Sequence, residues 1–423
     1  MYNLPEKFLE RMKNMPDFDK FMQSYQTPPE RGIRVNTLKI SVEEFEKISP
    51  FRLESIEWEK SGFYVSEDGG LGKTIEHAQG LYYVQEPSAM YPVTKLGVAE
   101  GDRVLDLCSA PGGKGTQIAG YLKGTGILFL NEINFKRAKA LSSNVERLGV
   151  KNTVVTCAPP EKLCENFIEY FDKILVDAPC SGEGMFKKEE QAITEWSEEN
   201  VKLCAVRQSA ILENAVKALS SGGTLVYSTC TFAREEDEEQ VNNLLANHPE
   251  LQLVEMKKLL PHEIRGEGHF YAVIKKISGG RRNAKPYKIT VKDKVALNCY
   301  RKWESETLNI KFENICAIEN VLYSVPDCMP EIDLQILRCG VKLGEVLKGV
   351  FYPDHALAMC LKKGEAKFLE LDADLAQNYL RGLTVSCNFG NGWCVASHNG
   401  FPLGWCKVIG KIAKNHLPKG LRI

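Results

Sequence analysis

What the chain lacks narrows it first. None of its apolar runs approaches the roughly 18 residues that a membrane-crossing helix needs. Its opening, Met1-Tyr-Asn-Leu-Pro-Glu-Lys-Phe, has neither the apolar core nor the small-residue cleavage site of a secretory leader. The 14 cysteines stand singly, without one Cys-x-x-Cys pair, which excludes a dense disulfide scaffold and the usual zinc knuckles. Cys387, Cys394 and Cys406 come nearest, but gaps of 7 and 12 fit no zinc ribbon. Internal repeats and low-complexity tracts are missing, and so is any overall charge bias, the formal net charge being −1. The expectation is a cytoplasmic monomer with reduced thiols, no metal and no membrane partner.

What is present is unevenly spread. The 423 residues suggest about three domains. From Lys275 to Lys302 there are ten Lys or Arg and one acid, Asp293, and from Lys407 to Ile423 five basic residues and no acid. Such stripes in a neutral chain suit a polyanionic partner. Residues 1–95 read as an α+β unit: one helix over Leu4–Tyr25, a strand from Arg31, a helix over Val42–Ile48 and short strands near Trp58 and Phe63. From 96 to 278 strand-like runs (Arg103-Val-Leu-Asp-Leu, Gly126-Ile-Leu-Phe-Leu, Thr153-Val-Val-Thr, Lys173-Ile-Leu-Val-Asp, Gly223-Thr-Leu-Val-Tyr) alternate with helical ones at 114–122, 134–148, 198–220 and 234–247. This alternation predicts βαβ units and a mostly parallel sheet. His269 opens a late, antiparallel strand. Ser278-Gly-Gly-Arg-Arg-Asn-Ala-Lys-Pro reads as a linker. Residues 279–365 read as short strands with little helix, and 366–423 as one helix and a small β-barrel.

Val104-Leu-Asp-Leu-Cys-Ser-Ala-Pro-Gly-Gly-Lys-Gly115 is a strand, a glycine turn and a helix start. It has neither the GxGxxG spacing of a dinucleotide fold nor the GxxxxGK[ST] spacing of a phosphate loop. A tight Ala-Pro-Gly-Gly turn suits a nucleoside without pyrophosphate. Glu132, at the end of the second strand, is placed to bind both ribose hydroxyls. Together they fit S-adenosylmethionine. Arg137, on the following helix, reads equally as a brace for Glu132 and as a solvated helix residue.

Two further strands end in cysteine loops, Asp177-Ala-Pro-Cys-Ser-Gly-Glu-Gly184 and Tyr227-Ser-Thr-Cys-Thr-Phe232. Ligands of open α/β sheets bind outside the carboxyl ends of strands. A thiolate that adds to C6 of a cytosine makes C5 nucleophilic, and it can later leave. One cysteine would attack and the other help to resolve the adduct. Asp177 would hydrogen-bond the cytosine edge or, if protonated, give a proton to N3. Lys187-Lys188 suits an RNA phosphate, Trp196 a stacked base or a packed core. Arg234-Glu-Glu-Asp-Glu-Glu239 reads as a solvated helix start with dipole-matched acids.

With Arg34-Val-Asn-Thr-Leu-Lys39 and Tyr83-Val-Gln-Glu-Pro-Ser-Ala-Met90, these motifs resemble the Nop/Sun family of RNA cytosine-C5 methyltransferases, especially the bacterial RsmF-type 16S rRNA enzymes. Gly400-Phe-Pro-Leu-Gly-Trp-Cys-Lys407 is similar to that family's PUA-like RNA-binding module. The resemblance implies a class I S-adenosylmethionine-dependent methyltransferase fold, Rossmann-like with a mostly parallel sheet, flanked by an N-terminal α+β domain and C-terminal RNA-binding domains. It implies ribosomal RNA in the small subunit as substrate and S-adenosylmethionine as donor. Cys230 would be the nucleophile, and Cys180 would assist product release. Cys108, Ser109, Ala110, Pro111, Gly112, Gly113, Lys114, Glu132 and Asp177 would contact the donor. The family places a polar residue beside adenine where this chain has Thr156-Cys-Ala-Pro-Pro160, leaving Pro159 as a candidate by position. A tRNA cytosine methyltransferase and a non-catalytic RNA-binding assembly factor are the alternatives.

Overall fold

Four sheets organise the chain in a computed structural model that describes residues 2–66, 70–288 and 293–423. The central one has eight strands: β1 (Arg103–Asp106), β2 (Ile127–Asn131), β3 (Thr153–Thr156), β4 (Phe171–Asp177), β5 (Leu219–Thr229), β6 (Leu251–Leu259), β7 (His269–Lys276) and β8 (Ile336–Cys339). Their order is β6-β7-β5-β4-β1-β2-β3-β8. The five strands β1 to β5 pair in parallel, as expected of apolar runs buried on both faces. The remaining three are antiparallel. Strand order reverses between β1 and β4, so the crevice at a topological switch point opens above Asp106 and Asp177. Apolar clusters on the two faces, around Phe129, Phe171 and Tyr227 on one and Leu128, Leu130 and Val226 on the other, are sealed from water.

The N-terminal unit is a four-stranded sheet, ordered Leu53–Ile56, Glu59–Val65, Gly32–Val35, Tyr82–Val84. Its expected first helix is two, Glu6–Met12 and Phe18–Ser24. Pro16 breaks the run, since it can neither donate a backbone bond nor fit behind the preceding turn, and Asp17 turns with φ 57°. This unit is clasped to the eight-stranded sheet through the Arg34–Lys39 motif. Asn36 Nδ2 donates to Leu148 O (2.9 Å) and Lys39 Nζ to Arg147 O (2.9 Å), satisfying carbonyls that the end of helix Phe135–Arg147 leaves open.

Beyond the eight-stranded sheet, 294–307 is a helix rather than the expected strands. Ala296, Tyr300, Trp303 and Thr307 bury one face at helical spacing, and Asp293 caps the start. Ile289 to Lys292, part of the basic stretch, lie outside the described residues. A four-stranded sheet (Ile315–Ile318, Val321–Ser324, Val341–Leu347, Val350–Pro353) and a five-stranded sheet ending at Ile412–Asn415 complete the chain. Among the described residues no helix is long and apolar enough to cross a membrane.

Candidate active site

The glycine loop is shaped by three strand ends. Asn131 Nδ2 donates to Leu107 O (3.2 Å) and Ala158 O (2.9 Å), binding the ends of β1, β2 and β3 together. Ser109 N donates to Asn131 O (2.8 Å). Gly112 then turns at φ 111°, a conformation an L side chain rarely adopts, and helix Gly113–Leu122 begins. Lys114 thereby points back across the crevice, with its Nζ 2.8 Å from Asp177 Oδ2.

Glu132 is buried at the end of β2. Its Oε1 accepts from Asn134 N (2.9 Å), and Arg137 braces Oε2 at 3.3 Å. A cavity of about 500 Å³ opens beside it, walled by Cys108, Ile133, Pro160, Glu161, Arg207 and Asn214 among others. Pro159 is not among the walls. Ile133 is 63% exposed, and the sequence does not single it out. Asp106 lies wholly buried below, its Oδ2 accepting from Ser109 Oγ (2.7 Å) while Oδ1 has no partner among the described residues. Burial, with Asp177 nearby, pushes its carboxyl up to about 7. A ribose-height carboxylate, an orphaned carboxyl oxygen and a side-chain-free turn fit a cationic amino-acid nucleoside such as S-adenosylmethionine.

A second cavity, about 470 Å³, shares Cys108, Arg137 and Pro179 with the first and contains Asp177, Cys180 and Cys230. The two sulfurs lie 3.1 Å apart, both as free thiols. Their loops are laced together: Gly184 N donates to Cys230 O (2.8 Å), Ser181 Oγ and Thr231 Oγ1 bond at 2.8 Å, and Phe232 N donates to Glu183 Oε2 (2.8 Å). The bond from Cys230 raises the Cys180 thiol well above its ordinary value, and burial adds to it. Burial opposes the charge on Asp177, but Lys114 and then His269 outweigh it and hold the carboxyl well below the usual range. Ser228 Oγ also donates to Asp177 Oδ1 (2.8 Å). Of its two expected roles, this direction favours the accepting one, which needs the carboxylate.

Other expectations at the rim change. Lys187 is buried and paired with Glu267 at 3.3 Å, which takes it from solvent and from any phosphate. Trp196 packs in the core with Nε1 donating to Glu183 (3.0 Å). In the acidic run after Cys230 the helix starts only at Glu238, and Glu236 and Asp237 are fully buried. Before that helix Glu236 and Asp237 turn inward while Arg234 stays exposed, a difference that a run of acids does not announce.

Four family models match along the chain: the N-terminal domain of 16S rRNA methyltransferase RsmF at residues 4–87, 16S rRNA methyltransferase RsmB/F at 93–275, the RsmF rRNA methyltransferase first C-terminal domain at 302–361, and the methyltransferase RsmF PUA domain at 366–423. A ribosomal RNA small subunit methyltransferase F from Erwinia tasmaniensis is 32% identical across 99% of this chain and 96% of its own length. The chain belongs to the 16S rRNA methyltransferase RsmB/F family. Another relative in that family, the ribosomal RNA small subunit methyltransferase F of Vibrio vulnificus, is 34% identical over 99% of this chain and 97% of its own. Among solved structures, a methyltransferase homolog protein from Pyrococcus horikoshii superposes with TM-score 0.56 at 28% identity, covering 64% of this chain and all of that one. NSun6 from the same organism shares the fold (TM-score 0.59, 23% identity, 65% and 99% covered). The fold is that of the S-adenosylmethionine-dependent methyltransferases, with an N-terminal domain and a C-terminal PUA domain added.

Proposed function

We propose that this protein methylates C5 of a cytosine in small-subunit ribosomal RNA through a covalent bond between Cys230 and C6 of the ring. The observation that carries this reading is the pair of sulfurs 3.1 Å apart, in a cavity that adjoins a second one fit for the donor. When bound, S-adenosylmethionine supplies the electrophilic methyl group. The 108–114 loop and Asp106 would hold its methionine half, Glu132 its ribose, and Ile133 with Pro160 the wall beside adenine.

Cytosine C5 is not nucleophilic by itself. Addition of the Cys230 thiolate to C6 moves the C5–C6 π pair onto C5 as an enamine, which accepts the methyl group. A base then takes the C5 proton, the double bond re-forms, and the Cys230–C6 bond breaks. Cys180, held as a thiol beside it, hands its S–H proton to the departing sulfur, so that Cys230 leaves as a thiol and Cys180 is left as the thiolate. Asp177 accepts from the cytosine N4 amino group while Lys114 balances its charge. The target base must leave its stack to reach the cavity. The basic stretch at 407–423, the N-terminal unit and the PUA domain grip the RNA backbone.

The test is incubation with labelled donor and either small-subunit particles or naked 16S RNA, followed by mapping of 5-methylcytosine. The Cys180→Ala variant is expected to accumulate a covalent RNA–protein adduct and Cys230→Ala to form none. The opposite pattern exchanges the two roles. Label in tRNA alone, or donor binding without transfer to any RNA, rejects the proposed substrate.

A further inference from the structure

The acidic run after Cys230 takes no part in the mechanism above, yet Glu236 is the point on which both cysteine loops converge. Its carboxylate is fully buried and accepts from Ser181 N (3.0 Å), from Ser181 Oγ and from Gln208 Nε2 (2.8 Å). Gln208 Nε2 also donates to Pro179 O (3.0 Å). Both chain neighbours of Cys180 are thus tied to one carboxylate. Ser181 Oγ carries the tie onward to Thr231 Oγ1, next to Cys230. The residue behind the acid, Tyr227, donates its hydroxyl to Glu236 O (2.5 Å) and fixes the turn.

We propose that Glu236 is a positioning residue that sets the spacing of Cys180 and Cys230 and assigns them unequal roles. The inference rests on the reaction proposed above. The sulfurs sit between opposite charges: Cys230 is within electrostatic reach of the Lys114 ammonium, Cys180 within reach of the Glu236 carboxylate. A cation favours thiolate and an anion favours thiol. The arrangement places Cys230 on the lysine side of the pair and Cys180 on the glutamate side. Burial raises the Glu236 carboxyl above its usual range, and the bonds from Ser181 and Gln208 oppose this and favour the ionised form. The other titratable groups around this end are Tyr227, Cys204, Glu183 and Asp237, with Arg207 beside Cys204; Arg137 lines the cavity that holds both sulfurs.

The test uses the full-length protein. In Glu236→Gln, the pH profile for alkylation of Cys180 by iodoacetamide, read by peptide mass spectrometry, is expected to move down by about one unit or more. The kcat for methyl transfer is expected to fall by about 100-fold, the scale of a misplaced reacting group, with donor affinity unchanged. An unshifted alkylation profile overturns the proposal, and so does a wild-type kcat. Should the Gln variant fail to fold, as judged by donor binding, Ser181→Ala cuts the hydroxyl tie and keeps the charge. It is expected to lower kcat and leave the alkylation profile in place; a wild-type kcat there overturns the positioning role. Alkylation needs neither RNA nor donor. A wild-type protein that makes no 5-methylcytosine in any RNA therefore rejects the reaction, whereas an active wild type with an unshifted Gln variant rejects only the role of Glu236.

Discussion

Asp106 is the residue whose titration the architecture disturbs most usefully. Its carboxyl is sealed under the glycine loop with one oxygen unpartnered, and burial lifts it from 3.8 to about 7. An acid raised on folding holds a proton that the unfolded chain has released between those values. Stability from this group is complete below about 3.8 and is lost as pH rises toward and through 7. Asp106→Asn keeps an acceptor for Ser109 and removes the titration. In urea unfolding across pH 4 to 8 the variant is expected to gain on the wild type with rising pH, by on the order of a few kcal/mol. Parallel curves would reject the assignment. The sequence made Asp177, Cys180, Cys230 and Glu132 legible because each lies at or just beyond the end of a strand of the sheet, where topology alone brings side chains to one crevice. Glu236 and Lys187 were not legible: an acid or a lysine in a charged run looks the same whether it faces water or a buried partner.

Elements follow the same division. Strands β1 to β5 were legible because apolar runs bounded by turn residues leave few alternatives. The helix at 294–307 was hidden by Tyr300 and Trp303, whose strand preference is overridden by packing against Phe351 and Trp405. The break at Pro16 was hidden by apolar spacing that continues across it. The Pro-Cys loop offers an element-level test at Gly184. A Cβ there would lie 3.0 Å from Cys230 O and 3.1 Å from Gly268 O, both backbone atoms with little room to move. Gly184→Ala is expected to push the two cysteine loops apart, costing about 1–3 kcal/mol in denaturant unfolding and lowering the yield of the trapped adduct. Unchanged adduct yield would show that the loops tolerate the separation.

At the scale of the whole molecule, the N-terminal unit and the glycine loop are one construction. Arg34 is buried in the N-terminal sheet, but its guanidinium donates to Gly113 O (2.6 Å) and Thr116 Oγ1 (2.7 Å) at the start of the helix that follows the glycine turn. Hydrogen bonds from a charged group contribute about 1.5–3 kcal/mol each. Arg34→Met is expected to lower stability by about 2–4 kcal/mol and to weaken donor binding in calorimetry. Full donor affinity in a destabilised variant would separate the two units functionally. The motif containing Arg34 was visible in the sequence as a resemblance, but its reach across about eighty residues of chain to Gly113 depends on tertiary packing.

Strand β8 comes from the C-terminal half and pairs with β3, closing that side of the catalytic sheet. An enzyme trimmed to its catalytic stretch would bare the N–H and C=O row of Thr153–Thr156, the kind of edge along which chains stack and precipitate. The domain that holds β8 is consequently part of this sheet and not a detachable cassette. Any graft that redirects this chain to a new RNA has to carry Ile336–Cys339, or a substitute for it, across the junction.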